Sequence, residues 1–148
     1  MNKVKIALVH DFLFWYGGAE RVLESINEIY PDAVVYTSVY SKKNMSAVIN
    51  RMKIKVSWMQ KIPFKSKLLK FFTYFYPTAF ESLDLSNFDI VISVTAGAAK
   101  SVVTEPGTVH ISYTLTTPRF LWGYETAYRS NLRFLKVILP VFDNFYRI

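Results

Sequence analysis

The hydrophobic pattern switches between short continuous runs and longer stretches with helical spacing. "KVKIALV" (3–9) is apolar and rich in β-branched residues, which predicts a buried strand. From Ala19 the positions Val22, Leu23, Ile26, Ile29 and Tyr30 recur every three or four residues, with Glu20, Arg21, Glu24 and Glu28 on the opposite side. That is an amphipathic helix, and Pro31-Asp32 ends it. "AVVYTSV" (33–39) predicts a second strand, residues 43–52 a helix, and "IKVSW" (54–58) a short strand. "FDIVISV" (88–94) predicts another buried strand, followed by the small-residue turn "TAGAAKS"; "VHISYTL" (109–115) predicts a further one. A loop carrying Pro118, Arg119 and Trp122 leads to a last helix, from near Ser130 toward Pro140.

Strands alternating with helical stretches imply an α/β fold, a parallel sheet with crossover helices. Strands that are nearly unbroken apolar runs are those of a sheet covered on both faces. In such sheets ligands bind beyond the carboxyl ends of the strands. Three segments converge on that rim: His10–Gly18, Thr95–Ala99 and Thr114–Trp122.

The first of these holds a glycine pair, Gly17-Gly18, at the start of the first helix. Glycines there can take positive φ and let backbone approach a ligand. The free amides and dipole of the helix start favour an anion such as a phosphate. The spacing is neither G-x-G-x-x-G nor a P-loop, so a tight turn that binds nothing stands as the alternative. His10 and Asp11 end the strand before it, as acceptor contacts or as polar residues satisfying nearby backbone. Glu20 suits the dipole of the first helical turn. His110 begins its strand, at the end away from the rim, and reads as structural.

Composition narrows the classes. The chain is 51% apolar and 20% charged over 148 residues, enough to bury one core. There is no cysteine, which excludes disulfides, thiolate metal sites and a cysteine nucleophile and fits a reducing compartment. The two histidines lie far apart and the acids are unclustered, so no metal is expected. The apolar run at the N-terminus meets His10 and Asp11 too early for a signal peptide. No stretch approaches the ~20 apolar residues that span a bilayer.

The net charge of +7 is regional: no acid lies between Asp32 and Glu81, where Lys42, Lys43, Arg51, Lys53, Lys55, Lys61, Lys65, Lys67 and Lys70 all fall. Within that region "KIPFKSKLLKFFTYFYP" (61–77) sets Phe64, Leu68, Phe71, Phe72 and Phe75 on one helical stripe, widened by Leu69 and Tyr76. Lys61, Lys65, Lys67 and Lys70 crowd its first half. An interfacial helix on an anionic membrane has this composition. A core-packed helix with a solvated basic edge and a single-stranded nucleic-acid patch are the alternatives. The membrane is favoured because the aromatics form one apolar face rather than spaced stacking platforms.

"HDFLFWYGGAERVL" resembles the opening of the group 1 (family 4) glycosyltransferases, whose GT-B fold has two Rossmann-like domains. "YPDAVVYTSVY", "YPTAFESLDLSNFDIVISVTAGAAKSV" and "VHISYTLTTPRFLWGYETAY" follow that family's order and spacing. The resemblance implies a Rossmann-like N-terminal domain that holds the acceptor, with helices on both faces of its sheet. It implies a nucleotide-sugar as donor substrate, no metal or other cofactor, and retention of anomeric configuration. Gly17 and Gly18 would face the donor phosphates; His10, Asp11, Thr95, Ala96, Gly97, Arg119 and Trp122 would border the acceptor. The family pattern His-x-x-Tyr-x-His-Thr-Pro is met by His110 and Tyr113, but Leu115 stands where the family has a histidine implicated in catalysis. Leucine has no titratable proton, so the catalytic residues are unassigned. The proline is displaced by one, to Pro118, and Gly123 replaces the family's acid.

By that resemblance the chain stops, at "FDNFYRI", before the last strand of the acceptor-side domain. The donor-binding domain is expected elsewhere, on a longer chain or a separate partner, and this chain alone is expected not to turn over. An open sheet edge would invite self-association. The expected setting is the cytoplasmic face of a membrane, with a glycan or lipid-linked acceptor from envelope polysaccharide synthesis. A non-catalytic module that binds membrane or partner is the rival reading, and nucleic acid the least favoured partner.

Overall fold

A computed structural model describes residues 3–62 and 75–116. The chain divides into two compact units, Met1–Leu115 and Thr116–Ile148, and the elements below belong to the first. Arg119, Trp122, Gly123 and the helix expected after Ser130 lie outside the described residues, as do Phe64, Lys65, Lys67, Leu68, Leu69, Lys70, Phe71 and Phe72.

Five strands form one sheet: β1 (Ile6–His10), β2 (Val34–Thr37), β3 (Lys53–Val56), β4 (Ile90–Thr95) and β5 (Val109–Thr114). Their order is β3-β2-β1-β4-β5, and every pairing is parallel. The fold is α/β and Rossmann-like, with helical elements on both faces. The chain builds outward from β1 through β2 to β3, then returns to the other side of β1 for β4 and β5.

Alternation along the strands sends successive side chains to opposite faces. Ala7, Val9, Tyr36 and Val91 join one core cluster with Ala79 and Phe80 of α2 (Tyr76–Glu81). Leu8, Val35, Ile92 and Val94 join the other with Leu23 of α1 (Gly18–Ile29) and Ile49. The central strands are therefore buried on both sides, and their unbroken apolar runs follow from that. The outer strands differ. β3 alternates lysine with aliphatic residues, and β5 leaves Val109, Ile111 and Tyr113 about half exposed.

α1 buries Leu23 fully and Val22 and Ile26 partly. Its C-terminal end does not continue that stripe: Ile29 is 68% and Tyr30 38% exposed, because the helix closes there, with the Tyr30 amide bonded to the Ile26 carbonyl at 3.1 Å. The helix expected over 43–52 is instead two short 3-10 turns, Lys42–Asn44 and Ile49–Arg51. Its asparagine side chains go to carbonyls outside helical reach, and Ser46 caps only the second turn. Asn44 donates to the Phe14 carbonyl, Asn50 to the Lys42 and Met45 carbonyls, and the Ser46 hydroxyl accepts the Ile49 amide. Of the basic aromatic segment, Lys61 closes a 3-10 turn (Trp58–Lys61) and is exposed, Phe75 is 52% exposed, and Tyr76 is buried at the start of α2.

Phe80 is the largest fully buried side chain and ties α2 to the sheet. Phe80→Ala should cost about 3–5 kcal/mol, whereas Ile29→Ala, on the exposed end of α1, should cost under about 0.5 kcal/mol. Urea unfolding of the two variants checks the difference.

Candidate functional site

In an open parallel sheet, a crevice forms where neighbouring strands send the chain to opposite faces. Here that point lies between β1 and β4. β1 leads to α1, on the face of Leu23; β4 leads to the 3-10 turn Ala99–Ser101, on the face of Phe80. His10, Asp11, Gly17, Gly18, Thr95, Ala96 and Gly97, which the sequence singles out, all meet there.

Asp11 follows β1, and its carboxylate reaches across to the turn after β4. One oxygen accepts from the Thr95 hydroxyl at 2.9 Å and the Ala99 amide at 2.8 Å. The other accepts from the amides of Ala96 at 2.7 Å and Gly97 at 3.0 Å. A carboxylate offers about four acceptor positions, so all are filled from within the fold. Asp11 has no lone pair left for an acceptor or for proton abstraction. It positions the β4 turn.

His10 is 2% exposed and equally engaged. Its Nδ1 lies 2.9 Å from the Val94 carbonyl oxygen, which can only accept, so Nδ1 carries a hydrogen. Its Nε2 lies 3.3 Å from Oε1 of Glu20, which is 5% exposed. A bare Nε2 lone pair against a carboxylate oxygen would repel, so one proton sits between the two groups. Burial alone would raise the Glu20 carboxyl. Its hydrogen bond with His10, the backbone N–H groups of Glu20 and Gly17 and the His10 charge outweigh that, and the group lies below its ordinary range.

Glu20 also shapes the helix start. Its Oε2 accepts the Gly17 amide at 2.7 Å, the reach-back of a capping box. Gly17 is extended, at φ −156°, and among the described glycines only Gly107 has positive φ. The positive φ that glycine would allow at 17 is thus not used, and the chain bends at Phe14, Trp15 and Gly17 before the helix opens. The Gly17 amide is spent. The amides of Gly18 and Ala19 have no partner among the described residues, and a Cβ on Gly18 would meet nothing within 4 Å.

The sequence assigned Glu20 to the helix dipole and missed its pairing with His10. The signal was a glutamate at the third helical position, with a strand-end histidine ten residues before it. Leu115 follows β5 directly. Its amide bonds the Thr95 carbonyl at 2.8 Å, and its side chain packs on the α1 face. His110 pairs with Ser93, whose hydroxyl proton goes to the Ala99 carbonyl at 3.0 Å. Nε2 of His110 must then donate to that hydroxyl, at 2.8 Å. Burial pushes His110 down. The pair is a structural pin rather than a nucleophile and its base.

No group of three or more His, Asp or Glu among the described residues is arranged to hold a metal. A cavity of about 680 Å³ lies apart from the crevice, against β2 and β3, lined by Tyr36, Lys55, Trp58, Asp84 and Phe88 among others. No helix among the described residues is long and apolar enough to cross a membrane.

No family model, curated protein or solved structure matches the chain.

The lowered Glu20 carboxyl contributes stability above its unfolded value near 4.5 and loses it as pH falls through the folded value. Glu20→Gln removes the buried carboxylate that faces both His10 and the Gly17 amide and should cost about 3 kcal/mol at neutral pH. The gap between wild type and variant should narrow as pH drops below 4.5. Denaturant midpoints across that range measure it.

Proposed function

We propose that this chain is the acceptor-side domain of a glycosyltransferase of the GT-B kind, related to the group 1 family. In the whole enzyme a sugar passes from a nucleotide-sugar donor to a membrane-associated glycan or lipid-linked acceptor. The setting is the inner face of the cell membrane, and the class is hexosyl transfer in envelope polysaccharide synthesis. The observation that carries the reading is the placement of α1: its first turn opens at the switch point between β1 and β4, with the Gly18 and Ala19 amides unpartnered and open space above Gly18. The ordered resemblance along the sequence supports it.

Each part of the crevice then has a task. Gly18 and Ala19 offer N–H donors to a donor phosphate. The hydrogen bond between His10 and Glu20 draws the Glu20 carboxylate toward the imidazole, so a second anion meets less repulsion than a bare carboxylate would give. Asp11 holds the β4 turn, whose small residues Ala96 and Gly97 leave room for the acceptor. Arg119 pairs with acceptor phosphate and Trp122 borders the sugar, as the resemblance implies. No described residue supplies a proton-transfer group with a free position in the crevice, so turnover requires the donor-binding half.

Gly18→Asp would place a carboxylate over the open amides. With a donor-binding half supplied, it should weaken donor capture on the order of a hundredfold, about 2.7 kcal/mol. Amide exchange at Gly18 and Ala19 should slow on adding nucleoside diphosphate-sugar to wild type but not to the variant. Unchanged transfer in a folded Gly18→Asp protein would sink the reading.

A second reading is a non-catalytic module that binds membrane or a partner, favoured by the hydrocarbon side chain of Leu115 at the rim. Leu115→His in the complete assembly separates the two. A rise in transfer rate of about tenfold or more marks a catalytic scaffold, and no change alongside tight partner binding marks the module.

A further inference from the structure

β1, β2 and β3 are parallel and adjacent, so the segments that leave their carboxyl ends lie side by side along one rim. After β1 come Trp15, 52% exposed, and Tyr16, 40% exposed. After β2 come Lys42 and Lys43, both exposed. After β3 come Trp58, 41% exposed, and the exposed Lys61.

Hydrogen bonds join these segments into one surface. The Ser41 amide donates to the Leu13 carbonyl at 2.8 Å, and Asn44 to the Phe14 carbonyl at 2.8 Å. Gln60 takes the Tyr40 amide at 2.9 Å and returns a bond to the Tyr40 carbonyl at 3.1 Å. The Trp15 ring is fixed edge-on by Phe12 and Phe14, with centroids 5.6 and 5.1 Å away. It is exposed yet held, so ordering it on a partner costs little further entropy.

We infer that this three-loop rim docks on the interface of an anionic lipid bilayer, with Trp15, Tyr16 and Trp58 at headgroup depth and Lys42, Lys43 and Lys61 on lipid phosphates. Indole and phenol rings beside lysines are the chemistry of that interface. Asp11 is held by the β4 turn and Glu20 by His10. Glu24, which accepts from the Tyr16 and Ser46 hydroxyls, and the exposed Asp84, which lines a cavity with Trp58 and Lys61, are the two carboxylates set against the three lysines. A glycan as occupant fits less well, because the amide side chains that would read hydroxyls are spent. Asn44, Asn50 and Gln60 all bond within the fold.

The inference takes from the proposed function only the membrane location and needs no catalysis. It also stands on residues distinct from 63–74.

The test uses the full chain with Trp58→Phe and Trp122→Phe, so that Trp15 alone reports, and a companion with Trp15→Phe and Trp122→Phe that leaves Trp58. Each is titrated with phosphatidylcholine vesicles with and without phosphatidylglycerol, some carrying brominated acyl chains. Both reporters should shift to the blue and be quenched by brominated lipid only when phosphatidylglycerol is present. Lys42→Ala with Lys43→Ala should weaken vesicle binding by about tenfold, with the circular dichroism spectrum unchanged. Vesicle binding that leaves both tryptophans with aqueous emission would overturn the inference. So would a failure to bind anionic vesicles, or a soluble oligosaccharide moving the Trp15 emission where vesicles do not. Transfer to a water-soluble acceptor, measured with the donor-binding half, reads the proposed function separately, so either can fail without the other.

Discussion

Asp11 stands one residue past the end of β1, and four donors from the turn after β4 converge on its carboxylate. The bonds are charge-assisted and come from three backbone amides and one hydroxyl, so they fix the shape of a turn that has almost no side chains of its own. They also join two strands that lie 84 to 88 residues apart in sequence. The crevice at the switch point keeps its outline because of this tie. Without the carboxylate the amide of buried Ala99 would lose its partner, the costly side of hydrogen bonding.

Beside that tie runs a second chain of bonds, from the Val94 carbonyl through His10 and Glu20 to the Gly17 amide. The two networks divide the labour. Asp11 holds the β4 side and Glu20 the α1 side, with β1 supplying the side chain that each depends on. The open amides of Gly18 and Ala19 lie just past the second network. Trp15 and Tyr16, which precede them, turn outward to the rim of β1, β2 and β3. Crevice and rim thus share one continuous stretch, residues 10–20.

Much of the fold was legible because burial on two faces leaves a plain mark. β1 and β4 are apolar but for His10, Ser93 and Thr95, and the helical spacing from Ala19 to Ile26 matches the buried side of α1. What was not legible depended on side chains choosing distant partners. Asn44, Ser46 and Asn50 break up the expected helix over 43–52 through bonds that spacing does not reveal. The glycine pair does mark the start of α1, but Gly17 is extended and its freedom to take positive φ is not used. Asp11 and His10 were picked out as rim residues, but the filling of every polar position on both is a matter of tertiary geometry. Glu20 is the clearest case. Its first task, at the helix dipole, is local and readable; its second, against a histidine from another element, is not.

Glu20 brings one more consequence. The start of α1 comes with a carboxylate already installed, tethered and close enough to occupy one of the amides. Any visiting anion therefore shares its berth with a permanent resident and cannot claim the whole of the helix's positive end. An anion placed there would be held less tightly than at a helix start with all of its amides open.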